Sequence, residues 1–242
     1  MASGQGGHAV RFEWGATGGA SIATGADCAL VVDVLSFSTT VGIAVERGAA
    51  VIPYPSLGEA AETVAAQHGA TLAGPRGSAL SLSPQSMREA EPAPTRLVLP
   101  SPNGATVTAA LADLTVVAAA SLRNARAAAA WAAEQGANIA VVASGERWPD
   151  GSLRPCLEDM WGAGAVLAAL EAMDLNVSPE AAAAADAYRI VEGRLGGHLA
   201  ACSSGIELIE RGFPADVAIA AEVDESAVVP VLGLEGFSAG MW

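Results

Sequence analysis

Short apolar runs that end in polar turns recur along this chain, and that repeat restricts its fold more than any other feature. The clearest case is Ala29-Leu30-Val31-Val32-Asp33-Val34-Leu35-Ser36-Phe37-Ser38-Thr39-Thr40. Four or five strand-forming residues without polar alternation are too few for a helix and read as a strand buried on both faces, spanning Ala26 to Val34. Asp33 stands where this strand reaches the surface. Val41, Ile43, Ala44 and Val45 then fall at helical spacing, and Gly48 stops the helix at Arg47. Leu97-Val98-Leu99 repeats the arrangement, with Pro100 to Thr106 as its turn and Val107, Ala110 and Leu111 in its helix. Asn138 to Ala143 leads into Ser144 to Asp159, the most polar stretch, and then a helix from Met160 to Met173.

The remaining segments fit the same alternation. Ala9 to Trp14 and Ala49 to Pro53 predict strands, and Ser56-Leu57-Gly58-Glu59 predicts a capping box opening a helix that ends at Gly69. Residues 72 to 95, rich in Pro, Ser and Gly, predict a long loop carrying Arg76 and Arg88. Leu114 to Ala119 predicts a strand, and Ser121 caps an Ala-rich helix from Leu122 to Gln135. Ser178-Pro179-Glu180 opens a further helix whose Ala184, Tyr188, Val191 and Leu195 form a buried face. Ser204-x-x-Glu207 reads as another capping box, and Asp216 to Ala221 and Val228 to Leu232 as strands. Together these predict an α/β fold with a layered, largely parallel or mixed sheet covered by helices, with room for two similar lobes. Residues 1 to 8 read as a frayed end, and residues 9 to 242 as a single domain.

Charge and composition narrow the function. The net charge of −14, from 26 acids against 12 bases, argues against a broad phosphate-backbone footprint and so against nucleic acid. All 12 bases are Arg, so Schiff-base chemistry, lysine-dependent pyridoxal phosphate enzymes and the Lys-containing P-loop are excluded. Anion recognition must therefore use Arg, backbone amides or a metal. Cys28, Cys156 and Cys202 are widely spaced and predict buried thiols, not a disulfide framework or zinc ribbon. His8, His68 and His198 are scattered, which disfavours a His-based zinc site, and His68 before Gly69 fits a helix C-terminus. The apolar stretches are broken well short of a membrane span, which with the absence of a signal pattern predicts a cytoplasmic protein.

In open α/β sheets, ligands sit beyond the carboxyl ends of the strands. Convergence of Asp33 to Thr40, Ser101 to Thr106 and Ser144 to Asp159 would gather Asp33, Glu158 and Asp159, hydroxyls, Asn103, and Arg147 or Arg154. Oxygen ligands without His or Cys suit Mg²⁺ completed by waters and a substrate phosphate. Each piece also has a plainer reading. Asp33 fits an ordinary strand-end carboxylate, Ser38 an N-cap, Asn103-Gly104 a tight turn, Arg123 a solvated base, and Glu158 and Asp159 first-turn acids of the next helix.

The ordered set of motifs resembles the 2-phosphosulfolactate phosphatase family over nearly the full chain. It comprises Asp33-Val34-Leu35 with Ser38-Thr39-Thr40, Asn103-Gly104-Ala105-Thr106, Ser121-Leu122-Arg123-Asn124-Ala125, Ser144-Gly145-Glu146, Glu158-Asp159 and Gly162-Ala163-Gly164. The tail from Leu208 to Pro230, with Gly212, Asp216 and a Val-Pro pair, is similar as well. The resemblance implies a Mg²⁺-dependent phosphatase hydrolysing the phosphomonoester of 2-phospho-3-sulfolactate, a step toward coenzyme M, in an α/β protein that often associates with copies of itself. It implies Asp33, Glu158 and Asp159 as catalytic acids and metal ligands, with Thr39, Thr40, Asn103, Gly104 and Thr106 around the phosphate. Ser38, Arg123, Asn124, Glu146 and Arg154 complete the expected substrate-binding set.

Two departures from the family pattern stand out. Many relatives carry Arg directly after Asp-Val-Leu, where this chain has Ser36-Phe37, so the phosphate-binding Arg is sought among Arg76, Arg123, Arg147 and Arg154. Ser83-Pro84 retains only part of an Asn-Ser-Pro segment. Two alternatives follow: a phosphatase for another small 2-phospho acid, and a non-catalytic anion-binding protein of the same fold.

Overall fold

A computed structural model describes residues 5–240. The chain opens with β1 (Val10–Trp14), α1 (Gly15–Ala23), β2 (Cys28–Val32), α2 (Phe37–Glu46), β3 (Ala50–Tyr54) and α3 (Glu59–His68). It continues through β4 (Thr71–Leu72), α4 (Pro84–Glu89), β5 (Arg96–Pro100), α5 (Gly104–Leu111), β6 (Val116–Ala120) and α6 (Ala125–Gln135). Next come β7 (Ile139–Ala143), the small hairpin of β8 (Glu146–Arg147) and β9 (Leu153–Arg154), α7 (Leu157–Glu171) and α8 (Pro179–Val191). The C-terminal part holds α9 (Leu195–Ala201), α10 (Ser203–Glu210), α11 (Pro214–Ala220), β10 (Pro230–Gly233) and β11 (Gly236–Ala239).

Nine strands form one mixed, mostly parallel sheet in the order β1-β7-β2-β6-β10-β11-β3-β5-β4. Strands β1, β7, β2 and β6 are mutually parallel, as are β3, β5 and β4. The β10–β11 hairpin joins the two groups and is antiparallel to both neighbours, so the groups run in opposite directions. A nine-stranded sheet does not stay flat, and here the end of β5 reaches the ends of β2 and β7. The Asn103 amide, after β5, donates to Glu146 Oε2, after β7, at 2.8 Å.

Alternation along β2 divides the core. Leu30 and Val32 pack with α6, α7 and α8, while Ala29 and Val31 face the side that holds α2 and α5. Val32 lies level with Ala120 and Ala143, so Asp33, Ser121 and Ser144 all leave the sheet at one height. The three cysteines are free and buried. Among the described residues no helix is long and apolar enough to cross a membrane.

Several local expectations are corrected. Asp216 to Ala221 is not a strand: Pro214 opens a helix there, and buried Asp216 lies in its first turn. Ser56 does not cap α3, whose N-cap is Gly58, and Ser204 lies inside α10, whose N-cap is Cys202. The long loop contains β4 and α4, the latter capped by Ser83 accepting from Ser86 N–H. The Ser121 cap opens a 3₁₀ turn, Leu122–Asn124, before α6 begins. Leu195 belongs to α9, beyond a break after Val191, although it is buried as expected. Strand β11 was not anticipated. Of the N-terminal stretch 1–8, residues 1–4 lie outside the described residues, while Gln5 is buried and its side chain pairs with the backbone N–H and C=O of Phe12.

Candidate active site

Strand β2 is buried at every position, so the chain can turn polar only where it leaves the sheet, and Asp33 is its first residue outside. Asp33 Oδ1 accepts the Phe37 N–H at 2.9 Å, and the backbone of Gly104 lies close enough to favour the charged carboxylate. Phe37 and Gly104 are the first residues of α2 and α5, so two helix amino ends converge on one carboxylate. A Cβ at position 104 would overlap the Phe37 ring, which explains the glycine there.

The hydroxyls that follow are fully engaged in shaping this turn. Ser38 Oγ donates to Val31 C=O at 2.9 Å and accepts from the Asp33 N–H. Thr39 Oγ1 donates to Val34 C=O and Thr40 Oγ1 to Leu82 C=O. All three are buried. They hold the strand-to-helix turn and the following loop in place.

Helix α7 brings Glu158 and Asp159, both buried in its first turn, to the same place. Asp159 Oδ1 accepts the Val34 N–H at 2.7 Å and Oδ2 accepts the Gly145 N–H at 2.8 Å, so one carboxylate ties the end of β2 to the end of β7. Glu158 Oε2 accepts from the Cys202 thiol at 3.4 Å. Burial raises the Asp33 carboxyl to about 7, against the Phe37 N–H, with the charges of Glu146 and Glu158 adding to the rise. Burial, then the charges of Asp33 and Glu158, hold Asp159 well above the usual carboxylate range. Glu146 is also raised by burial, opposed by its bond from Asn103.

A cavity of about 350 Å³ opens beside Asp33 and Glu146, with Ser36, Arg76, Asn103, Ser204 and Arg211 also in its wall. Arg76 donates to Ser36 Oγ at 3.1 Å, lies over the Phe213 ring and forms an ion pair with buried Asp216. Asp216 also accepts from Ser83 Oγ and the Gln85 N–H, so one carboxylate anchors both Arg76 and the start of α4. The buried Ser204 Oγ has no hydrogen-bond partner among the described residues.

The order of the motifs agrees with the comparison against family models. The family model for 2-phosphosulpholactate phosphatase matches residues 20–234, from within α1 to just past β10. The chain belongs to the 2-phosphosulpholactate phosphatase family. Comparison with curated proteins gives no match.

The Mg²⁺ that the sequence resemblance implies can be tested against this donor set. Among the described residues no three His, Cys, Asp or Glu side chains form a ready-made metal cluster. Mg²⁺ is usually held by only one or two carboxylates, with waters and substrate phosphate filling the rest. Asp33 and Glu158 fit that smaller demand: both are buried, their charges act on one another, and their protein partners are backbone N–H groups and a thiol. The oxygen-only set suits a hard cation.

Of the Arg candidates within this phosphatase family fold, Arg76 reaches the Asp33 cavity. Arg123 is tied to Glu222 and Glu46, and Asn124 bonds to the Ser121 N–H, Ala119 C=O and Val228 C=O. The expected role of Arg123 and Asn124 in substrate binding therefore has no support in their placement: they fasten the turn after β6 to the C-terminal segment. Arg154 stacks on Trp148, and Arg147 and Thr106 line a neighbouring cavity. Ser204 and Arg211 were missed. Ser204 resembled a cap, and Arg211 was not singled out in the sequence.

Proposed function

We propose that the protein is a Mg²⁺-dependent phosphatase acting on 2-phospho-3-sulfolactate and releasing sulfolactate and phosphate. The observation that carries this reading is the gathering of Asp33, Glu158 and Asp159, three buried carboxylates without a cationic partner among the described residues, beside a cavity lined by Arg76 and Arg211. Such a cluster is costly to bury unless a cation completes it. Asp33 and Glu158 supply the oxygens that would hold Mg²⁺, which when bound neutralises charge on the phosphoryl oxygens. Asp159 keeps the ends of β2 and β7 at a fixed separation. Arg76, oriented by Asp216, donates to the phosphoryl group and stabilises charge as the ester bond breaks. The Phe37 amide, held on Oδ1, fixes the direction in which Asp33 presents its second oxygen, whether that oxygen ligates or attacks.

The test is phosphate release from racemic 2-phospho-3-sulfolactate at mildly acidic and neutral pH, with Mg²⁺ and with excess chelator. Chelator-sensitive release is expected. Equal release with chelator would remove the metal from the mechanism, and a higher kcat/KM for phospholactate or phosphoglycerate would reassign the substrate. Absence of release from all three, with calorimetric binding retained, would leave an anion-binding protein.

A further inference from the structure

A second cavity, of about 280 Å³, adjoins the first and shares only Asn103 and Glu146 with it. The Asn103–Glu146 hydrogen bond is therefore the partition between the two. On the far side lies the first turn of α1, where Gly15, Ala16 and Thr17 line the wall. This helix has nine residues, no side-chain cap and no acidic residue in its first turn. Its leading N–H groups have no partner within the helix and carry its positive end. Glu13 lies outside the lining, with its carboxylate accepting from the Trp14 N–H and the Gln5 amide.

An independent observation points to a ligand in the same place. Ser144 lines this cavity and is only 3% exposed, yet its Oγ has no hydrogen-bond partner among the described residues. A buried hydroxyl left unpaired is costly, and one that borders a cavity is free to donate into it. Arg147 supplies a cation at the rim, held by its bond to Gly151 C=O at 3.2 Å. The β8–β9 hairpin roofs the cavity through Leu153, and with Trp14 this gives part of the wall an apolar surface.

We propose that this cavity is a second oxyanion site, taking a sulfonate, carboxylate or phosphate group on the amino end of α1, the Ser144 hydroxyl and Arg147. The site stands on its own geometry; only its link to turnover rests on the phosphatase reading. Two sources share this chemistry: the second acidic group of the substrate, reaching past Asn103 and Glu146, and a free anion.

The experiment follows methanesulfonate and inorganic phosphate binding to the full chain in chelator, by calorimetry and by the backbone amide resonances of Gly15, Ala16 and Thr17. These three resonances are expected to move on titration. Thr17→Asp places an acid in the first turn, which favours the helix but repels an anion, so it should keep or raise Tm while weakening binding at this site at least about tenfold. Ser144→Ala should weaken it by about tenfold through loss of one charge-assisted bond. Stationary amides, or unchanged binding in both variants, would overturn the proposal. If the substrate's own acid fills the site, Thr17→Asp raises KM for 2-phospho-3-sulfolactate and leaves KM for phenyl phosphate unchanged. If a free anion fills it, both substrates respond alike and the inhibition by added phosphate changes. Anion binding without any phosphate release by the unmodified protein would sink the phosphatase reading alone.

Discussion

Asp33 is held in two ways that oppose one another. Backbone amides at the starts of α2 and α5 favour its charge, while burial and the charges of Glu146 and Glu158 disfavour it, leaving its pKa near 7. An unfolded Asp titrates near ~4. The native state therefore binds more protons between about pH 4 and 7, and stability contributed by the protonated form is complete below the unfolded pKa and lost as pH rises through the folded one. Asp33→Asn removes the charge and keeps an acceptor for Phe37. In chelator, this variant should melt above the unmodified protein at pH 8, by roughly 2–4 °C for each kcal/mol of relieved repulsion, with the difference vanishing near pH 4. Its phosphate release should be abolished. A melting temperature below that of the unmodified protein at pH 8 would show that the charged Asp33 is stabilising without metal. Asp33 was legible because an entirely apolar strand leaves one place for a carboxylate to emerge. The hydroxyls beside it were legible as a polar turn, but their direction was not: Ser38, Thr39 and Thr40 all spend their protons on backbone carbonyls. Arg211 and Ser204 were not legible as site residues, since only the fold brings α10 and its C-cap to the cavity wall that Asp33 shares.

Helix α7 shows how an element sets the site. A Cβ on Gly162 would press against Val32 and Val34 of the β2 end, and one on Gly164 would press on the α8 backbone at Ala184. Glycines on both faces thus let α7 lie close to the sheet and to α8 at once. Closeness on the Gly162 side matters for chemistry, because the Val34 N–H is the donor that holds Asp159. Ala has the better helix propensity by about 1 kcal/mol, yet overpacking commonly costs about 1–3 kcal/mol. Gly162→Ala should therefore lower stability by about 1–2 kcal/mol in urea denaturation and reduce kcat, as α7 is pushed off Val34. Gly164→Ala should lower stability with a smaller effect on kcat, because it moves the face away from the carboxylates. Equal kcat for Gly162→Ala and the unmodified protein would dissociate this packing from the site. Elements governed by local signals were legible: Ser178-Pro179 does open α8, with Ser178 accepting the Ala181 N–H at 3.1 Å. Asp216 to Ala221 misled because the large apolar residues Val217 and Ile219 alternate in sequence, while the helix start lay in Pro214 just before them and burial of Asp216, Val217, Ile219 and Ala220 follows helical spacing. Ser204-x-x-Glu207 misled because Cys202, two residues earlier, already begins the helix.

At the scale of the molecule, the site exists because two parallel strand groups of opposite direction are joined by one short hairpin. The alternation of strands and helices made the α/β class legible, but nothing local announces that the last two strands enter the middle of the sheet. The hairpin joins by narrow pairings, Val231 with Ala118 on one side and Phe237 with Val51 on the other. Phe237 is fully buried and meets the Phe37 ring edge-on, with centroids 6.2 Å apart. Phe37 in turn abuts Gly104 and donates its N–H to Asp33. A single stack of Phe237, Phe37 and Gly104 therefore links the C-terminal hairpin to the turn that carries Asp33 and to the start of α5. Removing a buried Phe side chain costs about 3–5 kcal/mol, and the aromatic pair adds about 0.5–1.5 kcal/mol. Phe237→Ala should lower unfolding free energy by that order in urea, and it should also lower kcat, since the Phe37 ring loses the surface that fixes its backbone beneath Asp33. Phe237→Leu fills most of the volume without the ring edge, so it should recover most of the stability. If kcat in Phe237→Ala matched that of the unmodified protein despite the stability loss, the hairpin would be a brace between the strand groups with no hold on the position of Asp33.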